Sequence, residues 1–238
     1  MSLRVAIVGV DGRMGRFARG LLERTKEFSV VAGVRRGDDL AGALRESRAQ
    51  IGLEVTRAGL GFEHARTMLE CGVRPLVGTS GVSPEENAKL DALARERSLG
   101  GLVVPNFSLG MCLLQRAAAE AARHFSRAEI VEMHHEKKKD APSGTALDTA
   151  ARMKAARGGS SAEIPIHSVR LPGLYAHQVV ILGAAGETFA LRHDMSGPEA
   201  FGPGILAGLA YASRAVGVGR GIELALDLGG LGARGGQS

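Results

Sequence analysis

Apolar and polar positions change period several times along the first hundred residues. Leu3–Val8 (LRVAIV) is a short β-branched run that ends in glycine, the pattern of a buried strand entering a turn. Residues 13–24 then carry apolar side chains at helical spacing (Met14, Phe17, Ala18, Leu21, Leu22). Phe28–Val34 reads as a second strand, 51–55 as a weak third, 62–71 as a helix and Arg74–Val77 as a strand. Ser83-Pro84-Glu85-Glu86 opens another helix: serine caps the end, proline fits the first turn, and a glutamate three residues on completes a capping box. Residues 102–104 form the next strand. Alternation of this kind predicts a parallel sheet with helices on both faces.

The rhythm changes after Pro105. A helix is expected over about 109–125, a strand over 129–134, then a polar loop and a helix over about 143–157. Residues 158–162 read as a connector. Runs 177–182 and 187–193 flank Gly183-Ala184-Ala185-Gly186 and are expected to pair as a hairpin. Strands that cluster after helices suggest an α+β domain with an open mixed sheet. A last helix begins at 204 and runs to 215, with the C-terminal helical segment reaching about 228; the glycine-rich end 229–238 is expected to fray. The boundaries are therefore 1–105 plus about 204–228 for the first domain, and 106–203 for the second.

Composition adds limits. A chain of 238 residues can bury one large core or two modest ones, and 45% hydrophobic with 23% charged residues is ordinary for a globular protein. No run of 18 apolar residues suggests a membrane span, and Met1–Val10 lacks the pattern of a secretory leader. Cys71 and Cys112 offer neither a disulfide framework nor metal-ligand spacing; both are expected to be buried free thiols, which suits a reducing cytoplasm. The net charge of +5 permits anion binding, but the arginines are scattered and aromatic residues are few, which disfavours nucleic acid as a partner. Glycine, at 34 residues, is roughly twice its usual ~7% share.

Part of that glycine has a place. Gly9-Val10-Asp11-Gly12-Arg13-Met14-Gly15 joins the first strand to the first helix, where a dinucleotide fingerprint belongs, although GxxGxxG is one residue off GxGxxG. Backbone N–H groups and the dipole at the helix start would hold a pyrophosphate. A packing turn is the plain alternative. After the second strand an acid would normally meet the adenosine ribose, but Arg35 and Arg36 stand there, followed by Gly37-Asp38-Asp39. Guanidinium groups suit a 2′-phosphate, so NADPH is expected to serve at least as well as NADH. An exposed basic turn is the alternative, and Asp38 or Asp39 could still reach the ribose. The first domain is thus expected to be a Rossmann-type dinucleotide-binding domain.

A second site lies in Glu132-Met133-His134-His135-Glu136-Lys137-Lys138-Lys139-Asp140-Ala141-Pro142-Ser143-Gly144-Thr145. Half of the chain's six lysines are in this segment. Imidazoles, ammonium groups and a helix start gathered together are costly unless an anion compensates, which points to a small acidic substrate. Histidine supplies acid–base chemistry near neutral pH. Neighbours on a strand face opposite ways, so His134 and His135 can share a target only where the strand has ended. A solvated basic loop is the alternative, and no cysteine or second histidine pair suggests zinc.

Taken in order, Val8-Gly9-Val10-Asp11-Gly12-Arg13-Met14-Gly15, Gly78-Thr79-Ser80-Gly81, Pro105-Asn106-Phe107-Ser108-Leu109-Gly110 and His134-His135 through Asp140-Ala141-Pro142-Ser143-Gly144-Thr145 resemble the dihydrodipicolinate reductase family. The resemblance implies NAD(P)H-dependent reduction of 4-hydroxy-tetrahydrodipicolinate, a cyclic dicarboxylate of lysine biosynthesis. It implies that Gly9, Val10, Asp11, Gly12, Arg13 and Met14 bind the cofactor pyrophosphate, with Arg35 and Arg36 at the ribose. Gly78, Thr79 and Ser80 would line the nicotinamide, and Val104, Pro105, Asn106 and Phe107 the crossing between domains. His134 would donate or accept a proton, Lys138 would donate one, and His135, Ser143, Gly144 and Thr145 would bind the substrate. No metal is implied; a cytoplasmic homotetramer assembled through the second domain, and closure over the ligands, are. Several positions differ from the family's pattern: Arg35 replaces an acid, Glu54-Val55-Thr56-Arg57-Ala58 replaces Asp-Phe-Thr/Ser-x-Pro, Ser80 replaces a threonine, and Pro198 stands where an arginine is common. The chain is also slightly short for the family.

Two other readings compete. An aspartate- or homoserine-type dehydrogenase would explain the glycine turn but not the HHxxKxDAPSGT segment. A nucleotide-binding scaffold would need no proton donor, yet His134, Lys138 and Thr145 are present.

Overall fold

A computed structural model describes residues 2–158 and 163–226. It divides into two compact units: Met1–Phe107 with Phe201–Ser238, and Ser108–Ala200.

In the first unit, β1 (Leu3–Val8), α1 (Arg13–Leu22), β2 (Phe28–Val34), α2 (Leu40–Ser47), β3 (Ile51–Glu54), α3 (Gly61–Glu70), β4 (Arg74–Val77), α4 (Pro84–Glu96) and β5 (Gly100–Val103) alternate, α2 being the one element that the apolar pattern did not predict. The capping box at Ser83 is present in full, with the hydroxyl accepting from Glu86 N–H and the Glu86 carboxylate accepting from Ser83 N–H. Central strands are buried end to end, which is why they read as continuous apolar runs.

The second unit holds α5 (Leu109–Ala122), β6 (Arg127–His134), α6 (Gly144–Ala156), β7 (Ile166–Arg170), β8 (Ala176–Ala184) and β9 (Glu187–Met195). Its sheet has the order β7-β6-β8-β9. β6 and β7 are parallel across α6, and the other pairs are antiparallel. α5 and α6 pack on one face, where Met111, Ile130, Met153, Val180 and Leu182 form the core. The hairpin is tighter than expected: Ala184 pairs with Glu187, so Ala185-Gly186 alone makes the turn, with Gly186 at φ +86°.

The chain then returns to the first unit through α7 (Gly202–Arg214) and β10 (Gly217–Arg220). β10 lies beside β5, giving an all-parallel sheet ordered β10-β5-β4-β3-β1-β2. This corrects the helix expected as far as 228. Ala215 leaves α7 in an extended conformation, Gly217 takes φ +89°, and Val218 is buried in the sheet. Gly204 and Gly208 lie one turn apart on α7. A Cβ on the first would sit 1.9 Å from the Phe107 carbonyl oxygen, and one on the second 2.9 Å from Leu76. Both glycines remove side chains where α7 packs closely on its neighbours.

Cys112 is buried, but Cys71 is only half-buried, because it caps α3 where the chain turns at Gly72. Residues 159–162 of the expected connector, and the end 229–238, lie outside the described residues. Among the described residues no helix is long and apolar enough to cross a membrane.

Candidate functional site

Two constellations emerge, one in each unit. In the first, the carboxyl ends of β1, β2 and β3 open into a pocket of about 590 Å³, within the range of small-ligand sites and at the end of a parallel sheet where ligands bind. Gly9 leaves β1 at φ +92°, a conformation glycine adopts without penalty. Its carbonyl accepts from Gly12 N–H at 3.0 Å. Gly12 is the N-cap of α1 and supplies no side-chain cap, so the first-turn N–H groups are left for a ligand. Gly15 packs against the same turn: a Cβ there would lie 2.1 Å from the Gly9 oxygen.

Gly9, Asp11, Gly12, Arg35 and Arg36 line this pocket. Val10 is buried beneath the turn, and Arg13 and Met14 open α1 without lining it. Arg35 Nε donates to Asp11 at 2.9 Å, and Arg35 N–H donates to Asp38 at 2.8 Å. Asp38 is thus committed to its own turn, while Asp39 is the N-cap of α2 and makes no cap bond with its side chain. A third arginine, Arg57, also lines the pocket and was not singled out from the sequence. Backbone donors at a bare helix start, with three guanidinium groups nearby, fit a phosphorylated dinucleotide.

Gly78, Thr79 and Ser80 follow β4, and Val104, Pro105, Asn106 and Phe107 follow β5. They meet each other rather than the pocket. Val104 N–H donates to Val77 at 2.7 Å, and the Phe107 ring lies where a Cβ on Gly78 would be, 2.4 Å away. Behind them Glu54 is fully buried. It accepts from Thr56 N–H at 3.1 Å, from the Thr56 hydroxyl, and from His64 Nδ1 at 3.2 Å. Burial pushes its carboxyl up, but the bonds from His64 and Thr56 bring it below the ordinary range. This pairing has no local signature, since ten residues separate Glu54 from His64.

In the second unit β6 ends at His134, so His135 is already in the loop and both imidazoles can serve one site. Glu132 precedes His134 by two and shares its face. It is fully buried, and donors from Arg170, Ser143, His134 and Ser168 reach it. Oε1 takes Arg170 Nη2 at 2.8 Å and Ser143 N–H at 3.1 Å. Oε2 takes Arg170 Nη1 at 2.8 Å and His134 Nδ1 at 2.6 Å. Burial would raise this carboxyl; the bonds from Arg170, Ser168 and His134 hold it at about 2. His134 itself is lowered, chiefly by burial and then by Lys138 and Arg170, with Glu132 pulling the other way.

Lys138 Nζ rests on both Asp140 oxygens at 2.8 Å. Arg170 also reaches the carbonyls of Lys138 and Asp140, at 3.3 and 2.7 Å, and so threads the loop together. Ser143 is the N-cap of α6, its hydroxyl accepting from Ala146 N–H at 3.2 Å. A Cβ on Gly144 would meet nothing within 4 Å, so open space adjoins the first turn, where Thr145 follows. His134, Lys138, Ser143, Gly144 and Thr145 therefore belong to one strand–loop–helix unit. Glu132 was legible from the alternation but Arg170 was not.

Comparison with known proteins bears on both constellations. Family models described as the N-terminus and the C-terminus of dihydrodipicolinate reductase match residues 3–107 and 110–220. A 4-hydroxy-tetrahydrodipicolinate reductase of Legionella pneumophila is 41% identical over 87% of this chain and 92% of its own. One from Moorella thermoacetica is 40% identical over 95% and 98%. A dipicolinate-bound dihydrodipicolinate reductase from Paenisporosarcina sp. TG-14 superposes with a TM-score of 0.83 at 32% identity, covering 94% of this chain and 99% of that one.

Proposed function

This chain belongs to the dihydrodipicolinate reductase family, and from that membership we propose which of its residues carry the reaction and which cofactor it takes. As a member it is an NAD(P)H-dependent oxidoreductase that reduces 4-hydroxy-tetrahydrodipicolinate, a small dicarboxylate, in the diaminopimelate route to lysine.

The observation that carries the residue assignment is the Glu132–His134 pair beside an open helix start. The first-turn N–H groups at Gly144 and Thr145 take one substrate carboxylate, aided by the α6 dipole, and His135 takes part in binding the pair of carboxylates. Ser143 contributes as the cap that shapes this turn. In the other unit, Gly9, Asp11, Gly12 and the start of α1 hold the pyrophosphate, and Gly78, Thr79, Ser80 and Val104 through Phe107 border the nicotinamide. When bound, the reduced nicotinamide supplies the hydride. One proton is consumed with it and water departs. Lys138 is the donor, and His134, through Nε2, exchanges a proton with the substrate. Most of the rate comes from orientation and from cationic groups fixed before the charge moves. The test is NADPH oxidation at 340 nm with freshly condensed aspartate semialdehyde and pyruvate. Absence of turnover by the intact protein rejects the assignment.

NADPH is the better cofactor in this reading, because Arg35 and Arg36 stand where a ribose-binding acid would favour NADH. An Arg35→Ala/Arg36→Ala variant is expected to lose roughly 10- to 100-fold in kcat/KM for NADPH, from charge-assisted bonds of about 1.5–3 kcal/mol, and little for NADH. A wild-type enzyme that strongly prefers NADH would overturn this. The outer face of the second sheet carries Val131, Val179 and Ile181, the last 40% exposed, which supports a homotetramer built through that sheet; light scattering decides it. The same reading puts the enzyme in the cytoplasm, where reduced pyridine nucleotide is regenerated, and cell fractionation checks that.

A further inference from the structure

Every group that touches Glu132 is a donor. An arginine N–H and the Ser143 N–H reach Oε1, an arginine N–H and the His134 ring reach Oε2, and the Ser168 hydroxyl adds a further bond to the carboxylate. Only an ionised carboxylate offers acceptors on both sides and no hydrogen of its own. An amide in its place would set an NH₂ against two donors whichever way it turned, and guanidinium hydrogens cannot be surrendered. Because this carboxylate stays ionised, the hydrogen of the 2.6 Å contact belongs to His134 Nδ1. The nitrogen left to exchange a proton is then Nε2.

Arg170 has a second effect. An unpaired buried carboxylate would repel a dicarboxylate substrate and cost several kcal/mol to bury. Bidentate pairing at 2.8 Å on both oxygens cancels its charge locally. The same guanidinium ties down the loop carbonyls at Lys138 and Asp140. The carboxylate thus orders His134, the loop that bears Lys138 and the cap of α6 at once.

We propose that Glu132 is a positioning residue for proton transfer: it holds His134 as the Nδ1–H tautomer with Nε2 presented to the substrate, while Arg170 keeps it from acting as a free negative charge. This rests on His134 exchanging a proton in the reductase reaction. Glu132→Gln is expected to lower kcat by roughly 10²- to 10³-fold, the span of one acid–base contribution, with KM for NADPH unchanged. Glu132 raises the His134 pKa, whereas Lys138 and Arg170 lower it, so the limb of the kcat/KM profile that reports His134 is expected to move to lower pH. A merely structural role would leave that limb in place. Glu132→Asp, which keeps two acceptor oxygens, is expected to recover part of the rate.

Wild-type kcat and an unmoved profile in folded Glu132→Gln would overturn the proposal. So would a ¹⁵N–¹H spectrum of the wild-type imidazoles showing His134 protonated at Nε2 above its titration. That spectrum needs no turnover: it decides the proposal alone if the variant does not fold, or if the wild type fails to reduce its substrate and the reductase assignment falls.

Discussion

The Gly15→Ala variant will have no useful affinity for NADPH. The added methyl would lie 2.1 Å from the Gly9 oxygen, 2.7 Å from Val10 Cα and 2.8 Å from Gly9 carbon. All three atoms are backbone, so no rotamer change relieves the clash. α1 must move off the turn, which breaks the Gly12-to-Gly9 hydrogen bond and misaims the N–H groups that would hold the pyrophosphate. A loss of at least ~100-fold in Kd, about 2.7 kcal/mol, is expected by fluorescence titration. Gly20→Ala is the control. It lies in the same helix with only Arg24 Nη1 near, at 3.7 Å, and alanine there should raise helix stability by about 1 kcal/mol while binding persists. Tight NADPH binding by Gly15→Ala would show that the turn is not the pyrophosphate site.

Lys138→Ala is expected to bind NADPH normally and to lose about 10²- to 10⁴-fold in kcat, the range for a general acid. The substrate KM should rise as well, because the change leaves the Asp140 carboxylate without its 2.8 Å partner beside a dicarboxylate. Removing both groups in Lys138→Ala/Asp140→Ala separates the two effects. The double variant should recover much of the KM and none of the kcat. Unimpaired turnover by Lys138→Ala would reject the donor role. A kcat recovered in the double variant would show that repulsion, not proton donation, limited the single one.

The parallel sheet was legible because short apolar runs, β-branched in β1 and β2, alternate with segments of helical period, and α4 because its cap chemistry is written in four consecutive residues. Three elements escaped for physical reasons. α2 is eight residues with a glycine inside; β7 (IHSVR) is an edge strand of five; β10 (GVGR) is half glycine. β7 and β10 take their conformations from β6 and β5, distant in the chain, and α2 takes its own from packing against β2 and α3, rather than from local preference. The candidate site divides the same way. His134, Lys138, Gly144 and Thr145 lie in one continuous motif, and Glu132 falls on the His134 face by the period of two. Arg170 reaches Glu132 only because β7 pairs in parallel with β6, and Glu54 reaches His64 only because α3 packs beside β3. Neither pairing has a local signature.

The return of the chain through α7 and β10 has a consequence for biosynthesis. The segment 108–200 is continuous, so it can fold on the ribosome as soon as it has emerged. The unit that surrounds it in sequence cannot finish then, because β5 gains its outer neighbour only with Gly217–Arg220. Until then β5 presents a bare edge of backbone donors and acceptors, the kind of surface on which nascent strands aggregate. A nascent chain that has emerged only as far as residues 201–216 would therefore carry a completed insert and an unfinished host, and dependence on chaperones should peak over that interval.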